Sequence, residues 1–200
     1  VNQDNKPNIG SNFNSVAVGQ LNMNNVYGNC TVSFKEIEEL NISDVYPMHN
    51  NLIGRWDIGN SYLDGHIRKA NIDQGGKLPF SIYFNQYVDV VNIRNMSHIA
   101  EKVQSGDTFF WFEEGVGEVN IDNLQLGSSM FRVWTPSPVV VNITNSSFML
   151  SDSANPSADN VFNLVNCDVC MATGTDKRKH DLTFRGTMSQ LREYLEKYGY

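Results

Sequence analysis

The chain has 200 residues, 40% of them hydrophobic and 11% aromatic, enough to build a core and to exclude disorder along the whole length. A net charge of −7 with no long single-sign run excludes a duplex nucleic-acid binder, which needs a basic face to replace counterions around phosphates. Cys30, Cys167 and Cys170 are too few for a disulfide scaffold and read as reduced core residues, and no run of about 18 apolar residues is present to span a membrane.

Residues 1–14 are polar, resemble no signal peptide and read as a lead-in segment; with no Met at the start, a processed chain or an excerpt of a longer one is expected. From there a five-residue pattern recurs: apolar, Asn, apolar, any residue, then Asn or Asp. The first copy is Leu21-Asn22-Met23-Asn24-Asn25, and others begin at Leu40, Trp56, Val91, Val119, Val141 and Phe162. A degenerate eighth is Leu182-Thr183-Phe184-Arg185-Gly186. Fifth positions fall at Asn25, Asp44, Asn60, Asn95, Asn123, Asn145, Asn166 and Gly186, and the long gap after Asn60 is expected to hide a weaker copy around Ala70-Asn71-Ile72-Asp73.

Each copy alternates apolar and polar with period two, the mark of a strand with one face buried. Positions one and three point inward and the second-position Asn faces out. The fifth residue comes from the set that accepts positive φ, so it marks a corner. The 25 asparagines would supply such corners, and stacked corner amides can bond along the axis as they do in cross-β ladders. A second strand precedes several copies, at residues 31–34, 81–84, 108–112 and 130–134, and excursions at 100–106 and 151–160 read as loops outside the core.

The pattern ends at residue 186. In residues 187–200, Thr187 and Gln190 form a capping box, Met188, Leu191, Leu195 and Tyr198 share one face, and Gly199 is a C-terminal stop. A terminal helix is expected, closing the open end of the stack in preference to meeting a partner chain.

The repeat predicts an all-β fold, a right-handed parallel β-helix of about eight coils over residues 15–186 followed by that capping helix. An antiparallel sandwich or barrel also has short strands and turn residues, but rarely repeats one five-residue pattern at one interval. A leucine-rich repeat needs far more leucine than is present.

Coils of about twenty residues with Asn at the corner, as at 91–95, 119–123 and 141–145, resemble the pectate-lyase-like β-helix superfamily over roughly residues 15–186. The acidic charge, reduced cysteines and helical finish look most like its bacteriophage tail-spike and neck-appendage members. That resemblance implies a homotrimer in the virion that binds host surface polysaccharide and in many relatives also cleaves it, with no membrane insertion. It carries over no catalytic residue. Two alternatives stay open: a secreted or cell-surface bacterial polysaccharide lyase or glycoside hydrolase, and a purely structural shaft or adhesin.

Glu113, Glu114 and Glu118, with Asp107 and Asp122 nearby, are the densest acidic stretch. Glycoside hydrolysis needs two carboxylates flanking the scissile bond, roughly 5 to 10 Å apart, so these three are the candidate catalytic acids. Phe109, Phe110, Trp111 and Phe112 offer a sugar-stacking platform, although alternation sends every second ring inward. Asp57 and Asp64, with Arg55, Trp56, Tyr62 and His66, form a second polar and aromatic cluster in the least regular part of the repeat. Trp56, Asp57, Asp64 and Trp111 are therefore the candidate ligand-binding residues, and function is expected between residues 54 and 76 and between 100 and 118.

No metal or cofactor is expected. Cys167 and Cys170 spell C-x-x-C without a second pair, and His49, His66, His98 and His180 lack ligand spacing. Glycosylation patterns at Asn29, Asn41, Asn95, Asn142 and Asn145 follow from composition, and Lys177-Arg178-Lys179 reads as a solvated turn.

Overall fold

The structure is a computed structural model and describes residues 9–25, 30–45, 55–58, 65–77, 81–97, 108–150, 160–171 and 177–200. It is all-β with one C-terminal helix. In chain order the elements are β1 (Ile9–Asn24), β2 (Cys30–Ser43), β3 (Arg55–Ile58), β4 (His66–Lys77), β5 (Ser81–Phe84), β6 (Tyr87–Ser97), β7 (Thr108–Phe112), β8 (Val116–Trp134), β9 (Val140–Thr144), β10 (Ser147–Leu150), β11 (Val161–Met171), β12 (Lys179–Thr187) and α1 (Met188–Tyr198). Strand β1 begins inside the stretch read as lead-in.

Every described pairing except β11 with β12 is parallel. The pairings form two runs. One passes through β1, β2, β4, β6, β8, β9 and β11. The other passes through the first half of β2, then β3, β5, β7, the second half of β8, β10 and the end of β11. Each strand thus lies beside a strand one repeat away, and equivalent residues share a column.

The inward columns are apolar, as period two demands. Leu40, Ala70, Val91, Val119, Val141 and Phe162 are in register and buried, and so are Ile42, Ile72, Ile93, Ile121, Ile143 and Leu164. In the other run Phe84 stacks on Phe112 at 5.2 Å, and Phe110, Phe131 and Phe148 follow one another at 5.9 and 5.3 Å. Burying each such side chain stabilises the fold by about 1.5–3 kcal/mol before entropy is counted.

Corners form where the fifth position was read. Asn25, Asp44, Asn95, Asn123, Asn145 and Asn166 all have φ between 50° and 57°. Their amides bond along the stack: Asn123 donates to Asn95 at 3.0 Å, Asn166 to Asn145 at 2.9 Å, and Asn95 to Asp73 at 2.9 Å.

Two copies of the motif, those at Trp56 and Leu182, differ from expectation. The copy at Trp56 belongs to the other run: β3 pairs with Cys30, Thr31 and Val32 and with Ser81 to Phe84, so it is not an asparagine-corner strand, and residues 59 and 60 lie outside the described residues. The suspected weak copy is the true one, with Asn71 between Asn41 and Asn92 in register. Its fifth residue, Gln74, points inward and is fully buried, its amide accepting from Val45 N at 2.8 Å and donating to Val45 O at 3.0 Å, while Gly75 and Gly76 take the positive φ.

The eighth copy is not a further parallel row. Strand β12 runs antiparallel to β11, the positive φ sits at Asp181, and Gly186 lies in the strand where a β-carbon would meet Phe184 and Gln190. The reversal pairs the edge that β11 would otherwise expose. Helix α1 then covers this end through buried Leu191 and Leu195, with the Thr187–Gln190 capping box and left-handed Gly199 in place. Tyr198 departs from the expected buried face: it is 57% exposed in the last turn, packed on Tyr194 at 5.0 Å.

Cys167 and Cys170 are both buried, although three residues apart on a strand, because alternation breaks at the end of β11, where Val169, Cys170 and Met171 are all interior. Burial pushes the Cys167 thiol above its ordinary value. The excursion at 100–106 lies outside the described residues, as does that at 151–160 up to Asn160.

Candidate functional site

Parallel, in-register pairing puts residues of the same type about 4.8 Å apart, the spacing of a hydrogen-bonded amide ladder. The second-position asparagines meet this condition on the outward face. Asn22, Asn41, Asn71, Asn92, Asn120, Asn142 and Asn163 form one column. Each Nδ2 donates to the Oδ1 of the preceding row, at 2.9, 2.8, 2.9, 3.1, 2.9 and 3.1 Å. All six bonds run the same way, so the amide dipoles align and reinforce one another.

Two outward columns flank the asparagines. On one side stand Gln20, Glu39, Lys69, Val90 and Glu118; on the other Asn24, Ser43, Asp73, Arg94, Asp122 and Thr144. Most of their charges are compensated locally. Glu39 accepts from Asn71 at 2.9 Å and lies 4.0 Å from Lys69, and Arg94 bonds Asp73 at 3.0 Å. Asp122 accepts from Thr144 at 2.6 Å and from Asn145 at 2.9 Å.

Between the columns runs an open groove of about 470 Å³, lined by Lys69, Asn71, Asn92, Arg94, Asn120, Asp122, Asn142 and Thr144. That volume suits a small ligand or a short stretch of a longer chain. An asparagine amide has two N–H donors and two acceptor lone pairs. Asn92, Asn120 and Asn142 each use one of each within the column, leaving one donor and one acceptor apiece at the groove.

Of the residues singled out in the sequence, Glu118 and Asp122 flank the asparagine column, and the other described ones fall elsewhere. Phe110 and Phe112 are buried and Trp111 faces outward, as alternation requires. Trp111 stacks on Tyr83 at 5.9 Å and on Trp134 at 4.2 Å, with interplanar angles of 22° and 12°. The facing ring surfaces cover one another, so this aromatic column turns edges rather than a stacking platform to solvent. The Trp111 indole N–H is also engaged, donating to Glu113 at 2.5 Å.

Glu113 and Glu114 are exposed at the turn after β7, whereas Glu118 stands in a flanking column of the asparagine face. Trp111 and Glu113 are brought together; Glu118 belongs to the other surface. Strand register puts Asp57 in the column of Tyr83 and Trp111, and Trp56 in the column of buried Ile82 and Phe110. Asp64, Tyr62 and Asp107 lie outside the described residues. His66 bonds Asp89 at 2.8 Å with its ring against Tyr87. Among the described residues no cluster of His, Cys, Asp and Glu is suited to hold a metal ion, and no helix is long and apolar enough to cross a membrane.

Sequence reasoning missed the groove. Its signal was present, since each asparagine of the column occupies the same place in its copy of the motif. No protein-family model matches the chain, and no curated protein and no solved structure matches it either.

Proposed function

We propose that the chain is a right-handed parallel β-helix of the pectate-lyase-like kind, a trimeric segment of a bacteriophage tail spike or appendage, which binds host surface polysaccharide in the groove over its asparagine column. Parallel pairing across one repeat supports the architecture. The observation that carries the function is the groove itself: hydrogen-bonding capacity at Asn92, Asn120 and Asn142 is repeated at even spacing along an open, elongated surface.

Binding is favoured over cleavage. Glu118 and Asp122 flank Asn120 on the same strand with their Cα positions about 13 Å apart, and the Asp122 carboxylate is already engaged by Thr144 and Asn145. Glu113 is tied to Trp111 on the other surface.

Calorimetric titration with lipopolysaccharide and capsular polysaccharide tests the reading, together with light scattering for the trimer. Binding should weaken in Asn120→Ala and persist in Trp111→Ala. A monomer without glycan affinity contradicts the proposal, as does binding that Trp111→Ala abolishes and Asn120→Ala leaves intact. The depolymerase alternative requires polysaccharide cleavage that is lost when Glu113, Glu114 and Glu118 are all replaced by Gln.

A further inference from the structure

The walls of the groove carry no surplus of positive charge. Lys69 lies against Glu39, Arg94 is bonded to Asp73, and Asp122 adds a carboxylate held only by neutral donors. An anionic ligand would therefore find no cation without an acid beside it. A carboxylate is also a poor match for the floor, because an ionised acid only accepts hydrogen bonds. It could meet the remaining N–H of an asparagine but would confront the carbonyl oxygen of the same or the next amide.

A hydroxyl both donates and accepts, and neighbouring hydroxyls on a sugar ring can take the N–H of one amide and give to the oxygen of the next. The column presents this pair of functions once per row, about every 4.8 Å, without a break from Asn92 through Asn120 to Asn142. Resting on the polysaccharide reading of this groove, we propose that its ligand class is a neutral, hydroxyl-rich glycan lying along the column, with acidic glycans discriminated against.

The test is a titration of the ¹⁵N-labelled chain with maltohexaose, cellohexaose and mannohexaose, and separately with hexagalacturonate, following the side-chain amide resonances of Asn92, Asn120 and Asn142. Neutral oligosaccharides should move all three and hexagalacturonate should leave them in place. If hexagalacturonate moves the amides as far as the neutral oligosaccharides do, or alone moves them, acidic glycans are not discriminated against and this inference falls while glycan binding in the groove stands. If neither class moves them, both readings fall. Because the wild-type chain supplies the main readout, the result does not depend on a ladder variant folding.

Discussion

Replacing Asn123 by Ala and, separately, by Gly separates the two tasks of a corner asparagine. Asn123 holds φ at 55°, donates to Asn95 at 3.0 Å and accepts from Gln125 at 3.3 Å, while its side chain is exposed. Alanine keeps a β-carbon in the left-handed region without a side-chain amide to compensate, costing about 1–2 kcal/mol, and loses solvent-accessible hydrogen bonds whose net value is about 0.5–1 kcal/mol. Glycine loses the same bonds but relieves the backbone, and its extra unfolded-state freedom returns only part of that gain. Asn123→Ala should therefore lower stability by about 2–3 kcal/mol and Asn123→Gly by about 1 kcal/mol. Urea unfolding followed by far-ultraviolet circular dichroism reads the difference, with a melting shift of about 2–4 °C per kcal/mol as a second measure. Equal losses, or a larger loss for Gly, would refute a backbone role for the corner asparagines.

Gln74→Ala should cost about 3 kcal/mol in urea unfolding, because it leaves the buried N–H and C=O of Val45 without the amide that bonds both; a loss below about 1 kcal/mol would show that Val45 finds other partners. Gly117→Ala should destabilise by about 1–3 kcal/mol in a thermal melt, since a β-carbon there lies 2.6 Å from the backbone oxygen of Asp89 and can be accommodated only if adjacent rows move apart. Cys167 should resist a thiol reagent at neutral pH until the chain unfolds. Its stability contribution has a definite sign: the folded thiol ionises above 9.0, so the unfolded state releases the proton first, and stability falls as pH rises from about 9 toward the folded value. Cys167→Ser should flatten that alkaline decline, and an unchanged profile would remove the thiol as its cause.

Much of the scaffold was legible because period two and the residue at the turn are local properties. The inward valines and isoleucines, the left-handed asparagines and the Thr187–Gln190 cap all follow from neighbours a few residues apart. Alternation does not say which run a strand joins, so Trp56-Asp57-Ile58 satisfied the motif while belonging to the other set of strands. Nor does it reveal direction: Leu182-Thr183-Phe184 alternates equally well in an antiparallel strand. The aromatic column depends on register among Tyr83, Trp111 and Trp134, residues far apart in the chain, and only that register shows the rings covering one another. The groove was the opposite case. Its asparagines are plainly repeated, but within one copy a second-position Asn is only an outward polar residue, and the ladder exists only once seven rows are stacked in register.

The most direct measurement is a crystal structure of the chain with a neutral oligosaccharide bound. The account predicts sugar lying along the column, with hydroxyls within hydrogen-bond reach of Asn92, Asn120 and Asn142. Sugar bound instead against Tyr83, Trp111 and Trp134, with the groove empty, would contradict it.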